Sequence, residues 1–110
     1  MTEKLPATFI ALDSGILCGF VTAVYGLIPG AFPDSFWLIT LFVKEKYRRM
    51  GIATNLLSFT ENELKGKGIP QLFLWTETKE LTQFYLKRKW IFKKEFSDDK
   101  GKVDILSKQL

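Results

Sequence analysis

The chain contains no histidine, and that absence removes more chemistry than any other feature of its 110 residues. It excludes Ser-His-Asp and Cys-His catalysis, histidine general bases and most zinc sites, so no metal centre is expected. Cysteine is nearly absent too. Cys18 stands alone, no intrachain disulfide can form, and a reducing, cytoplasmic setting is expected. The start, Met1 to Pro6, lacks the apolar core of a signal peptide. One long stretch, 15–33, carries no charge, but Gly26, Pro29, Gly30 and Pro33 break it where a membrane-spanning helix must be continuous. Its β-branched and aromatic residues suit strands. No repeat, low-complexity tract or linker divides the chain, and one domain over 1–110 is expected. Any chemistry must rest on backbone dipoles, carboxylates, Tyr, Lys or Arg, or on a bound co-substrate.

What is present fits a folded protein. Hydrophobic residues at 46% and aromatics at 15% suffice for a packed core and exclude a disordered chain. Lys and Arg number 16 against 12 Asp and Glu, a net +4. That modest excess suits a polyanionic small molecule or a nucleic acid, and is also common in proteins that bind neither.

Periodicity and turn chemistry divide the chain into eight elements. Residues 7–12 read as a strand, Asp13-Ser14-Gly15 as a turn, and 16–25 as the antiparallel partner. Two prolines and two glycines make 26–35 a loop. The apolar run 36–43 reads as a central strand covered on both faces. A helix over 51–65 sets Ile52, Leu56 and Phe59 on one stripe, with Ala53, Leu57 and Leu64 beside them; Gly66, Gly68 and Pro70 stop it. Residues 71–76 form another apolar strand. Thr78 is placed to cap a second helix with the stripe Leu81, Phe84, Tyr85. Strands 90–96 and 103–108 pair around Ser97-Asp98-Asp99-Lys100-Gly101. The order β-β-β-α-β-α-β-β predicts a mixed α/β domain with a central parallel pair flanked by antiparallel strands.

The most informative stretch joins the third strand to the first helix. Between Val43 and the helix lie four cations, Lys44, Lys46, Arg48 and Arg49, and the segment closes on Gly51. A helix start leaves its first four N–H groups unpaired and carries roughly half a positive charge. A glycine there lets backbone approach a ligand, and the pattern implies a cradle for a diphosphate.

Arg48, Gly51 and Ala53 satisfy the pattern Arg or Gln, two residues, Gly, one residue, Gly or Ala. With a strand before it and a helix after it, this resembles the acetyl-CoA-binding signature of the GNAT N-acetyltransferase superfamily. A second family signature is echoed in 78–90: Leu81 stands at its Ala position, Tyr85 at its Tyr and Trp90 at its final aromatic. Thr78 replaces a frequent Asn, and Lys89 replaces a Gly, so a helix ending as in the family sets Lys89 at positive φ at a cost of about 1 kcal/mol. The resemblance covers 7–110. It describes a short member without the family's usual opening strand and helices, in which the acceptor groove is open or a second copy of the chain completes it.

The resemblance implies acetyl transfer from acetyl-CoA to a primary amine of a small molecule or peptide, by direct attack in a ternary complex. That reaction passes through a tetrahedral oxyanion and needs no protein nucleophile. Backbone groups of Leu41, Phe42 and Val43 would hold the pantetheine arm and polarise the acetyl carbonyl. The diphosphate would lie on Arg48, Arg49, Met50, Gly51, Ile52, Ala53 and Thr54, with Thr78 a further contact. Tyr85 would protonate the departing thiolate, a phenol near 10 giving to a thiol near 8.5. The alternative is a tyrosine in the apolar stripe with its hydroxyl at the surface. Asp34 and Glu77 are the nearest carboxylates for a general base. Lys44 and Lys46 would steer the anion, and Lys87, Arg88, Lys89, Lys93 and Lys94 form a solvated face able to meet the 3′-phosphate. Cys18 reads as core.

Two rival readings remain. A catalytically idle module would use the same pocket for regulation or dimerisation. A nucleic-acid binder ranks lower, because the aromatics fall in apolar runs rather than alternating with Lys and Arg.

Overall fold

The computed structural model describes residues 6–26 and 35–110. The element order is the expected one: β1 (Ala7–Asp13), β2 (Ile16–Gly26), β3 (Ser35–Val43), a 3₁₀ turn (Glu45–Tyr47), α1 (Ile52–Gly66), β4 (Gln71–Thr76), α2 (Lys79–Leu86), β5 (Ile91–Asp98) and β6 (Gly101–Gln109). The strands form one sheet in the order β1-β2-β3-β4-β6-β5. Only β3 and β4 run parallel; the other neighbours are antiparallel. The interior of the expected 26–35 loop, Asp34 included, lies outside the described residues. Among the described residues no helix is long and apolar enough to cross a membrane.

Local chemistry accounts for the turns. Ser14 and Gly15 both adopt positive φ (52° and 84°), the requirement of a two-residue hairpin whose twist matches its strands. The last hairpin runs further into its turn than expected, because Asp98 pairs with Gly101 and its carboxylate accepts from the Lys100 amide at 2.9 Å.

Strand alternation separates two cores. Val21, Ala23, Leu38, Leu72, Leu74 and Leu106 turn to one face and meet Leu56, Leu57 and Leu64 of α1 and Tyr85 of α2. Trp37, Phe73 and Ile105 turn to the opposite face, where the described residues include no helix, and pack with Trp75, Phe96 and Val103. Two stripe expectations need correction. Phe59 is exposed and reaches sideways to Phe9, edge-to-face with centroids 6.1 Å apart; Thr60 takes its place against the sheet. In α2, Leu81 is exposed and the buried residues are Thr82 and Tyr85.

β3 changes phase part-way. Thr22 pairs with Thr40 but the next residue, Ala23, pairs with Leu38, so Ile39 is an extra residue in β3. The bulge turns Leu41 and Val43 to the helix face, where strict alternation from Leu38 would have placed Thr40 and Phe42. The expectation that β3 is covered on both faces holds for Trp37 and Leu38 and fails beyond them, where Ile39, Thr40 and Phe42 are exposed.

Candidate functional site

The bulge opens the sheet. β3 and β4 share a single registered pair, Trp37 with Phe73, and the remaining residues of each strand toward its C-terminal end diverge as the legs of a fork. An extra residue on one strand bends it away from its partner. The unpaired edge of β3 therefore faces an opening rather than a neighbour. Gly19 sets how tightly its other edge is held: a Cβ there would lie 2.5 Å from the Phe42 carbonyl oxygen. Phe42 thus directs its backbone to β2, and by alternation Leu41 and Val43 direct theirs to the fork.

The loop after β3 is tied back to it. The Lys44 amide donates to the Cys18 carbonyl at 2.8 Å, and the Arg48 Nε–H donates to the Val43 carbonyl at 2.9 Å. The Arg48 amide itself donates to the Glu45 carbonyl at 3.1 Å. Arg48 is thereby a clamp on the loop, with the rest of its guanidinium exposed. Tyr47, buried with Cys18 and Val43, anchors the turn from beneath, and Ile52 and Ala53 pack on the same cluster. Arg49 and Gly51 take left-handed conformations (φ 67° and 79°), at a cost of about 1 kcal/mol for the arginine. α1 then begins without a side-chain cap and without an acidic residue in its first turn. Nothing lies within 4 Å of a Cβ built on Gly51, and exposed Arg49 and Met50 stand beside it in the chain. Thr54, expected to offer its hydroxyl to an anion, accepts from the Arg88 Nε–H at 3.0 Å and keeps its own proton.

α2 is seated by a chain of polar contacts absent from the sequence reading. Thr76 and Thr82 hydroxyls are 2.6 Å apart, and Thr82 donates to the Asp104 carboxylate at 2.7 Å. Thr82 has one proton, so Thr76 donates to Thr82 in turn. This buried relay joins β4, α2 and β6. Thr78 caps α2 as expected, accepting from the Leu81 amide at 3.2 Å. Tyr85 lies beneath the helix, edge-on to Trp90 and Phe84 with centroids 5.8 and 5.1 Å away. Burial pushes its phenol up to about 12, with the Arg88 charge pulling the other way. Lys89 has the positive φ (72°) that the missing glycine implied, and the Trp90 amide closes the helix end on the Tyr85 carbonyl.

Arg88 was grouped with a solvated face, yet it is half-buried. It lies over the Phe84 ring at 3.7 Å, donates to the Phe84 carbonyl at 2.7 Å, and links the end of α2 to the start of α1 through Thr54. Two hollows of about 510 and 240 Å³ flank it, lined in part by Lys79, Lys87, Lys89 and Lys108. A larger cavity of about 580 Å³ lies on the helix-free face, with Trp37 and Trp75 from the two legs of the fork on its wall and Glu77 at its rim.

A parallel pair followed by an uncapped helix start behind Gly51 is what the sequence implied, and a family model decides the matter. The model for the acetyltransferase (GNAT) family matches residues 2–89. The chain belongs to that family. Among solved GNAT-type structures it is similar to the PaiA N-acetyltransferase of Thermoplasma acidophilum in complex with coenzyme A, at TM-score 0.73 and 24% identity, covering 98% of this chain and 64% of that one. An aminoglycoside 6′-N-acetyltransferase complexed with coenzyme A superposes at TM-score 0.77 and 19% identity, covering 93% and 71%. The ribosomal-protein-S18-alanine N-acetyltransferase from Escherichia coli superposes at 0.75 and 17%, covering 94% and 68%. The chain spans less than two thirds of the PaiA chain, and at these identities the likeness establishes the fold. Comparison with curated protein sequences gives no match.

For a GNAT member the expected residues fall into two groups. Leu41 to Val43 and Arg48 to Thr54 are contiguous around the end of β3 and the start of α1; Thr78 and Tyr85 occupy the two ends of α2. The sequence reading missed Gly19, Thr76, Thr82 and Asp104, and misassigned Arg88. Gly19 alone had a visible signal, a glycine inside an apolar strand, which marks close backbone approach.

Proposed function

We propose that this GNAT domain, acting as one unit over 1–110 in the cytoplasm, moves the acetyl group of acetyl-CoA to a primary amine by direct attack. One observation carries the reading: α1 begins uncapped behind left-handed Gly51, at the mouth of a fork whose β3 edge is unpaired. Amides there lack partners within the helix and their dipoles favour an anion. The residues suit coenzyme A in three further respects. Arg48 and Arg49 bring cations to the diphosphate, the backbone of Leu41 and the Val43 amide offer hydrogen bonds to an amide-rich arm, and the cationic hollows around Arg88 suit the 3′-phosphate.

The bound thioester supplies an acyl carbon open to attack; the chain supplies position and protons. The amine nitrogen forms a bond to that carbon, the C–S bond breaks, and sulfur leaves with the electron pair. N–H groups on the fork edge of β3 stabilise the charge that develops on the carbonyl oxygen, worth roughly 3 kcal/mol per donor in a dry site. Tyr85 holds at Oη the proton that the departing sulfur takes. A phenol at about 12 is protonated throughout the neutral range. Its donation to a thiol near 8.5 is uphill by about 5 kcal/mol, which a barrier of about 16 kcal/mol, typical of a turnover near 10 per second, accommodates. Thr78, its hydroxyl oxygen engaged by Leu81, keeps one proton to offer the pantetheine arm. Glu77 and Asp98 are the carboxylates among the residues lining the opposite cavity, on the proposed acceptor side.

Calorimetric titration with acetyl-CoA tests the core of this reading. Micromolar-range binding is expected, and heat no greater than dilution at millimolar ligand overturns it. The idle-module reading draws on the depth of Tyr85; a thermal shift with acetyl-CoA but no CoA release over an amine panel would favour it.

A further inference from the structure

Two ties join α1 to the end of α2, and they differ in kind. The first runs through the middle of α1. The Glu61 carboxylate accepts from Lys108 Nζ at 2.7 Å and from Trp90 Nε1 at 3.3 Å, and Lys108 also donates to the Arg88 carbonyl at 3.1 Å. That network seats the end of α2 on α1 and β6 without any help from the Arg88 side chain. The second tie is the side chain itself. Its Nε–H donates to Thr54 Oγ1 at 3.0 Å, its Nη1 donates to the Phe84 carbonyl at 2.7 Å, and the guanidinium lies over the Phe84 ring. Among the described residues no carboxylate pairs with it. A half-buried guanidinium without a counter-ion carries a desolvation cost, and two bonds to neutral oxygens offset only part of it.

Where the second tie lands is informative. The Asn55 amide makes the first bond of α1, to the Gly51 carbonyl at 3.0 Å, so the amides of Ile52 to Thr54 have no partner within the helix. Thr54 thus belongs to the uncapped start, and the Phe84 carbonyl belongs to the peptide that leads into Tyr85. Resting on the acetyl-transfer reading, we propose that Arg88 is a positioning residue that couples the two helices, so that a thioester held at α1 meets the Tyr85 hydroxyl in one fixed arrangement. It acts through Thr54 and Tyr85 rather than on the reacting atoms. The planar fork reaches both acceptors at once, which a lysine, a point charge on a flexible stem, does not reproduce.

Three variants separate position from charge. Arg88→Lys keeps the cation and removes the fork, Thr54→Val removes the acceptor and keeps the arginine, and Thr54→Ser keeps the hydroxyl. At saturating acetyl-CoA the first two are each expected to lower kcat about tenfold, less than a misplacement of about 1 Å can cost. The double variant Thr54→Val/Arg88→Lys should be no slower than the slower single, because both remove the same contact. Thr54→Ser should stay within about twofold of the parent. Losses confined to KM for acetyl-CoA, or single losses that multiply in the double variant, overturn the proposal.

Hydrogen exchange reads the same coupling without turnover. Acetyl-CoA should slow the Lys87 to Trp90 amides, which close α2, about tenfold in the parent and less than about twofold in Thr54→Val. Equal slowing in both overturns the proposal, since Thr54→Val leaves any direct contact of Arg88 with the ligand in place. If acetyl-CoA slows the end of α2 through Thr54 but no amine is acetylated, acetyl transfer falls and the coupling stands. If amines are acetylated and neither variant changes kcat, the coupling falls and acetyl transfer stands.

Discussion

Helix α2 is closed by its own residues, whereas α1 is left open. Thr78 caps α2 and Glu80 sits in its first turn, so its amides and dipole are answered within the chain. α1 starts at a left-handed glycine with no cap and no acid, behind a loop held rigid by Arg48 and Tyr47. Each helix follows a strand, α2 after two residues and α1 after a longer connection that holds the 3₁₀ turn. The difference is that one helix start is left without a cap while the backbone that carries it is held fixed, and that is the start proposed to receive the ligand.

The largest test of that contrast is Gly51→Glu. It places a carboxylate where an anion is to bind and forces a side chain into the left-handed region, so acetyl-CoA affinity should fall at least about 100-fold while circular dichroism stays unchanged. Gly51→Asn, which tolerates that conformation, should retain binding within about tenfold; equal loss in both variants would show that conformation rather than charge decides. Next comes the buried end of α2. Because the folded-state pKa of Tyr85 lies above its unfolded value of 10, its contribution to stability is complete below pH 10 and is lost as pH rises toward about 12. Urea denaturation at pH about 9 and about 11.5 should show the unmutated protein losing about 2 kcal/mol more than Tyr85→Phe. Acetyl transfer by Tyr85→Phe should be slowed with acetyl-CoA affinity intact, and a rate equal to the parent's removes Tyr85 from the chemistry. Thr78→Ala should lower stability by about 1 kcal/mol in thermal melts, with acetyl-CoA affinity weakened only severalfold. The smallest effect has two signs. Asn55→Glu, exposed in the first turn of α1, should stabilise the fold by about 0.5 kcal/mol and weaken acetyl-CoA binding measurably. If both move the same way, α1 is not the anion site.

Much of this was legible without coordinates, and the failures have a common cause. The element order, the Ser14-Gly15 turn, the Thr78 cap and the buried Cys18 depend on neighbours within a few residues, where spacing and turn chemistry suffice, while the positive φ of Lys89 followed from the family resemblance. Phe59 and Leu81 were misplaced because a helical stripe about three residues wide does not reveal which of its edges meets the sheet. Arg88 looked like one member of a basic cluster; Phe84 lies one helical turn before it, but its partner Thr54 is identified only when the two helices stand side by side. The relay Thr76-Thr82-Asp104 joins three elements, and nothing in the spacing of two threonines and an aspartate announces it.

The sequence by itself determined that the chain is a mixed α/β fold and that no histidine or intrachain disulfide chemistry is available, and it pointed to 48–54 as the candidate phosphate segment, because these follow from composition and from contacts close along the chain. Only the tertiary structure decided where the sheet opens. The extra residue at Ile39 shows itself through its pairing with β2, and the aromatic cavity exists because strands far apart in sequence bring Trp37, Trp75 and Phe96 to one face. Register is a property of two strands together, and neither strand encodes it alone.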